Sequence, residues 1–175
     1  MAITFHTADI KFSLRNRIAL RGFIAGQVVK TSGYKKINLS FVFCSDEYLL
    51  NINRQFLNHD YYTDIITFPL SHSKEVLEAE IYISVDRVRE NRLQFAVSGL
   101  KKKPKAAVKD AATEQASFNQ ELHRVIFHGV LHLLGYKDKT RANQLEMRKM
   151  EDIWINRFAD GGSQLTATKP KKESK

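Results

Sequence analysis

The chain has 175 residues, with 28 Lys and Arg against 19 Asp and Glu, a formal charge of +9, and 43 % hydrophobic residues. That length and composition fit one globular domain and exclude wholesale disorder. The longest unbroken apolar run is the four residues Phe41–Cys44, far short of the roughly 20 a membrane helix needs.

The first residues lack the basic flank and apolar stretch of a secretion signal. Cys44 is the one cysteine, so an internal disulfide is impossible, which suits a reducing compartment. The expectation is a cytoplasmic protein.

Residues 2–6 predict a short strand. Ser13 can cap a helix running to about Lys30, with Leu14, Ile18, Ala25 and Val28 on or near one face, and Gly33 ends the segment. Alternation of Ile37, Leu39, Phe41 and Phe43, joined by Val42 and Cys44, predicts a strand that becomes buried on both faces. Ser45 or Asp46 opens a helix to about Phe56. Asp64 to Phe68 is a β-branched strand stopped by Pro69. Ile81, Ile83 and Val85 alternate in another strand, and Asp86 caps a helix to about Val97. Ser117 begins a helix that Gly135 ends, and Met147, Met150, Trp154 and Phe158 mark the last helix. The expected architecture is α+β: one domain, a mixed sheet of about four strands packed with about five helices.

The basic excess is uneven. Residues 99–116 hold five lysines against Asp110 and Glu114, and residues 159–175 hold four against Asp160 and Glu173. Together they carry more than half of it. Both are rich in Lys, Ala, Thr and Ser, so the domain is expected over 1–158, with a mobile insertion at about 99–116 and a disordered tail over 159–175.

The chemically informative stretch runs from Glu121 to Asp138. His128 and His132 lie about 40° apart and one turn along a helix, where two imidazoles can hold one tetrahedral metal ion. Gly135 can turn the chain back, and Asp138 then offers a carboxylate, which zinc accepts. Three protein ligands leave one position for water, the arrangement of catalytic zinc. Glu121, seven residues before His128, falls on nearly the same face and is a candidate outer partner. The residue after His128 is Gly129, so the glutamate base of a His-Glu-x-x-His metalloprotease is missing and a peptidase is disfavoured.

These residues resemble the YbeY family of rRNA maturation factors. The family motif His-Gly-x-Leu-His-Leu-x-Gly-Tyr-Asp-His is matched over His128-Gly129-Val130-Leu131-His132-Leu133-Leu134-Gly135-Tyr136, and departs at Lys137 and Asp138. A second signature, Leu-Asn-x-x-Tyr-Arg followed by Thr-Asp-Val-Leu-Ser-Phe-Pro, aligns with Ile52-Asn53-Arg54-Gln55-Phe56-Leu57 and with Thr63-Asp64-Ile65-Ile66-Thr67-Phe68-Pro69. A Gly-Asp-Ile strand looks like Ala79-Glu80-Ile81.

The resemblance implies a single-strand-specific, metal-dependent endoribonuclease in late small-subunit rRNA 3′-end maturation and ribosome quality control. Its implied partners are small-subunit rRNA and ribosomal particles. It implies one Zn2+ per chain on His128, His132 and Asp138. Asp138 stands where the family has histidine, so another divalent ion is also compatible. Leu57 stands where the family has an arginine assisting at the active site; Arg54 or, better placed on the helix, Arg124 is the candidate catalytic substitute. No general base is identifiable by spacing. The lysines of the insertion and tail are candidates for RNA contact. The alternatives are a non-catalytic ribosome-assembly factor with a structural metal site, and a metal-dependent hydrolase of another substrate. His6, His59, His72 and His123 carry no ligand expectation, and Thr63 and Asp64 are expected in turn and backbone roles.

Overall fold

The computed structural model describes residues 1–71, 73, 75–98 and 111–165. His72, most of the lysine insertion and the end of the tail lie outside the described residues. The chain order is β1 (Ala2–Thr7), α1 (Arg17–Thr31), β2 (Lys36–Cys44), α2 (Asp46–Leu57), β3 (Ile65–Pro69), β4 (Val76–Ser84), α3 (Val85–Ser98), α4 (Ala111–Leu133) and α5 (Arg141–Leu165). The sheet order is β1-β2-β4-β3. β1 and β4 run parallel to β2, with Ile3 opposite Leu39 and Phe41 opposite Ile81, and β3 runs antiparallel to β4, with Thr67 opposite Ile81. This is the mixed four-stranded α+β architecture expected from the sequence.

Alternation decides which face is the core. Ile37, Leu39, Phe41 and Phe43 of β2 are fully buried with Ile81 and Ile83 of β4, beneath a layer that includes Leu20, Ile24, Phe127 and Trp154. The other face is only partly covered, by a small cluster of Cys44, Leu49 and Ile66 under α2. The strand becomes buried on both faces at its end, where Cys44 is fully buried, while Val42, expected beside it on that face, is half-buried like Ser40.

Several boundaries differ from the sequence expectation. α1 starts at Arg17, because Asn16 takes a left-handed conformation (φ 56°) and its carbonyl, not a Ser13 side chain, receives the first helical hydrogen bond, from Leu20 N at 2.9 Å. Ser45 does cap α2, its Oγ accepting from Tyr48 N at 3.1 Å. Pro69 lies within β3 rather than after it; β3 is an edge strand, where a missing N–H is tolerated. Val85 begins α3 instead of ending a strand, and Ser84, not Asp86, caps that helix by accepting from Arg87 N at 3.1 Å.

Two longer helices correct the expected irregular segments. α4 begins at Ala111, so residues 111–116 are helical; Ala-Ala-Thr-Glu-Gln-Ala contains mostly strong helix formers continuous with the packed stretch after Ser117. α5 continues to Leu165, so residues 159–165 are helical too. Extending a helix already anchored by Trp154 costs far less than nucleating one, even through glycine.

Gly129 sets how close α4 comes to the sheet. A Cβ at this position would sit 2.6 Å from Ile65 Cδ1, 3.2 Å from Ile81 Cγ2 and 3.3 Å from Thr67 Oγ1. Ile65 can swing its terminal methyl away, but the Ile81 methyl belongs to a fully buried side chain on a central strand. Gly129→Val is expected to lose about 1–3 kcal/mol of stability by overpacking, read by urea denaturation. Unchanged stability would show that the helix can back away freely.

Candidate metal centre

Two histidines one turn apart project from the end of α4. Their rings lie 4.4 Å apart at 88°, and their Nε2 atoms are 2.9 Å apart. Each Nδ1 is already engaged. His128 Nδ1 is 2.7 Å from Glu151 Oε1, and His132 Nδ1 is 3.0 Å from the Tyr136 carbonyl oxygen. Both partners are acceptors, so each ring carries a proton on Nδ1 and faces the other through Nε2. Two ring nitrogens this close share a cation, which can be a proton on one of them or a metal ion between them.

The turn after α4 supplies the rest. Gly135 adopts φ 94°, a conformation open to glycine at little cost. Gly135 N donates to His132 O at 3.0 Å and Tyr136 N donates to Leu131 O at 3.1 Å, the paired bonds of a Schellman ending. The turn presents the Tyr136 carbonyl to His132 and brings Asp138 round. Asp138 Oδ2 lies 3.5 Å from His132 Nε2 and 3.8 Å from His128 Nε2. Among the described residues, His128, His132 and Asp138 form a group whose ligand atoms all lie within 4.8 Å of one another. Two imidazole nitrogens and one carboxylate oxygen suit zinc, and the locked tautomers suit any divalent ion that takes such donors.

Behind the histidines sits a charge network on α4 and α5. Glu151 is 6 % exposed and receives Arg124 Nη1 at 3.0 Å on its second oxygen. Arg124 also meets Asp152 at 2.8 Å and Glu121 at 3.8 Å. Burial alone would raise the Glu151 pKa, but the bonds from His128 and Arg124 bring it below the ordinary carboxylate range. Burial likewise works to lower His128, and the Glu151 hydrogen bond, with the charges of Glu151, Asp64 and Asp138, raises it above the usual imidazole value. Glu121 is raised by burial.

The sequence expectations are thus redistributed. Glu121, expected as the outer partner of His128, pairs with Arg124 instead; the partner is Glu151. Arg124, the expected catalytic cation, is committed to three carboxylates and holds Glu151 in place. Arg54 is bound to Asp60 at 2.6 Å on the surface, and Leu57 is exposed. Asn53 is buried and clasps the following loop, its Nδ2 donating to the Tyr61 carbonyl at 2.8 Å. Asp64 accepts from Asn91 Nδ2 at 2.9 Å, and its carbonyl accepts from Ser84 N at 2.9 Å. Thr63 Oγ1 donates to the Ile65 carbonyl at 3.3 Å. His59 stacks on Tyr61, His123 on Phe127, and His6 is exposed.

The family model described as Endoribonuclease YbeY matches residues 3–103 and 103–159. The Endoribonuclease YbeY of Cytophaga hutchinsonii is 42 % identical over 154 residues, covering 88 % of this chain and 94 % of the relative. That of Amoebophilus asiaticus is 39 % identical over 153 residues, covering 87 % and 90 %. A solution structure of a Thermotoga maritima protein shares the fold, with a TM-score of 0.55, 21 % identity and coverage of 98 % and 99 %. The extent of these matches, which span the two histidines and the Gly135 turn, places the chain in the Endoribonuclease YbeY family.

Proposed function

We propose that this protein is a metal-dependent endoribonuclease of single-stranded RNA that acts in maturing the 3′ end of small-subunit rRNA, with His128, His132 and Asp138 as its metal ligands. The observation that carries the metal is the pair of facing Nε2 atoms, each fixed by an acceptor on its own Nδ1. Family membership supplies the RNA substrate class. The same likeness supports ribosomal particles as partners and a place in ribosome quality control.

An ion held by these three side chains would supply Lewis acidity towards a phosphoryl oxygen and acidify water. The chain's own residues do the positioning. Glu151 keeps the His128 proton on Nδ1, and the Tyr136 carbonyl does the same for His132, so both Nε2 atoms stay available. Arg124 keeps Glu151 in register from behind. The three ligand side chains are 23 %, 30 % and 44 % exposed, and two of them, His128 and Asp138, line a cleft of about 480 Å³. That access supports a reactive site over the alternative of a purely structural metal, whose ligand shell is closed.

The test is cleavage of purified single-stranded rRNA by the zinc-loaded protein and by His128→Ala and Asp138→Ala, with elemental analysis of each. Cleavage by the wild type, lost in His128→Ala with its fold retained, supports the enzyme. Cleavage that persists in that variant overturns it. Metal content unchanged in Asp138→Ala removes Asp138 from the ligand set. A chelator that leaves no cleavage to lose but sharply lowers thermal stability would instead show a structural metal.

A further inference from the structure

We propose that Arg141 and Arg148, on the first turns of α5, grip the phosphate backbone of single-stranded RNA where it crosses the metal cleft. The inference rests on the RNA-cleaving reading above, and it assigns substrate contacts to two residues outside every signature of the sequence.

The cleft has the candidate ligands His128 and Asp138 on one wall and α5 on the other, where Arg141, Gln144 and Arg148 line it beside Glu151. Offsets of three and seven residues put those three side chains on one face of the helix. Both arginines are exposed. The first turn of α5 carries no acidic side chain, so nothing within it competes with an anion for Arg141.

Charge balance points the same way. Glu151 is already matched by His128 and Arg124. Asp138, as an anionic ligand, would neutralise half the charge of a divalent ion. The two guanidinium groups place donors on the cleft wall opposite the candidate ligands, and the planar fork of arginine fits two phosphate oxygens at once. Seven residues separate them by about 10 Å along the helix axis, enough to reach two different phosphates.

The test measures binding of a labelled single-stranded oligouridylate RNA to the zinc-loaded full chain at several salt concentrations, with RNA integrity checked on a gel. Arg141→Gln and Arg148→Gln are expected to weaken binding about tenfold each. Each should also reduce the slope of log affinity against log salt by about 0.7. Zinc content and melting temperature should stay at wild-type values, and Arg148→Lys should keep most of the salt slope. Wild-type affinity and slope in the double variant would overturn the proposal, as would an affinity loss that tracks loss of zinc or of stability. If the wild type binds RNA through these arginines yet never cuts it, the nuclease reading fails and this one stands. If the wild type does not bind RNA, both fail.

Discussion

Glu151→Ala is expected to lower stability by about 3–5 kcal/mol and zinc affinity by about 10–100-fold. The stability loss follows from what the substitution strands. Glu151 is almost fully buried, and it is bonded through one oxygen to His128 and through the other to Arg124. Removing it leaves the Arg124 guanidinium with Asp152 at 2.8 Å and the more distant Glu121 at 3.8 Å, and leaves His128 Nδ1 with no carboxylate. The affinity loss has a separate origin: without Glu151 the His128 ring can turn or move its proton to Nε2, where it would block a metal. Denaturation of the zinc-free protein reads the first effect, and competition with a chromogenic zinc chelator reads the second. Glu151→Gln should retain more stability than Ala, because it preserves the shape and one acceptor. Wild-type zinc affinity in Glu151→Ala would show that the His128 tautomer is set by something else.

Acid is expected to remove about 3 kcal/mol of stability through His123 alone by pH 4. This imidazole is packed among aromatic rings, with centroids 4.8 Å from Phe158 and 6.2 Å from Phe127, and burial lowers its pKa from 6.5 to about 4. Above pH 6.5 both folded and unfolded chains hold it neutral, and it contributes no pH dependence. As the pH falls from 6.5 to 4, the unfolded chain takes up a proton that the folded one refuses, so stability declines over that window and levels off below it. His123→Phe keeps the ring and abolishes the titration. The stability difference between variant and wild type should therefore grow in the variant's favour by about 3 kcal/mol between pH 7 and pH 4 in urea titrations. A difference that stays flat with pH would mean the ring is protonated within the fold.

Much of the architecture was legible because local chemistry and tertiary need agreed. The alternation of Ile37, Leu39, Phe41 and Phe43 survives as the buried face of β2, and the serine before α2 caps it. The grouping of His128, His132 and Asp138 was legible for the same reason: the three residues lie in one helix and its exit, so spacing alone brings them together. Glu151 was not, because its contact with His128 depends on how α5 lies against α4, which no short window encodes. One signal was present. Met147, Glu151, Trp154 and Phe158 share a helical stripe, and a carboxylate on an otherwise apolar stripe must have a buried partner. Gly129 carried a similar signal, since a glycine on the stripe of Leu122, Val125 and Ile126 marks a close approach. The ends of α4 and α5 were misjudged because lysine, threonine and glycine suggested loops where helix continuation was cheap.

The candidate ligands all fall between His128 and Asp138, and this short span shapes the thermodynamics of folding. Closing so small a ring costs an unfolded chain little entropy, so the denatured protein should keep an appreciable grip on the metal through the same side chains. Binding to both states cancels in the folding equilibrium. Loading the site therefore raises the melting temperature less than its affinity alone would suggest, and the surplus that does appear measures what folding adds: the remote carboxylate of Glu151, and the turn that hands a carbonyl to His132.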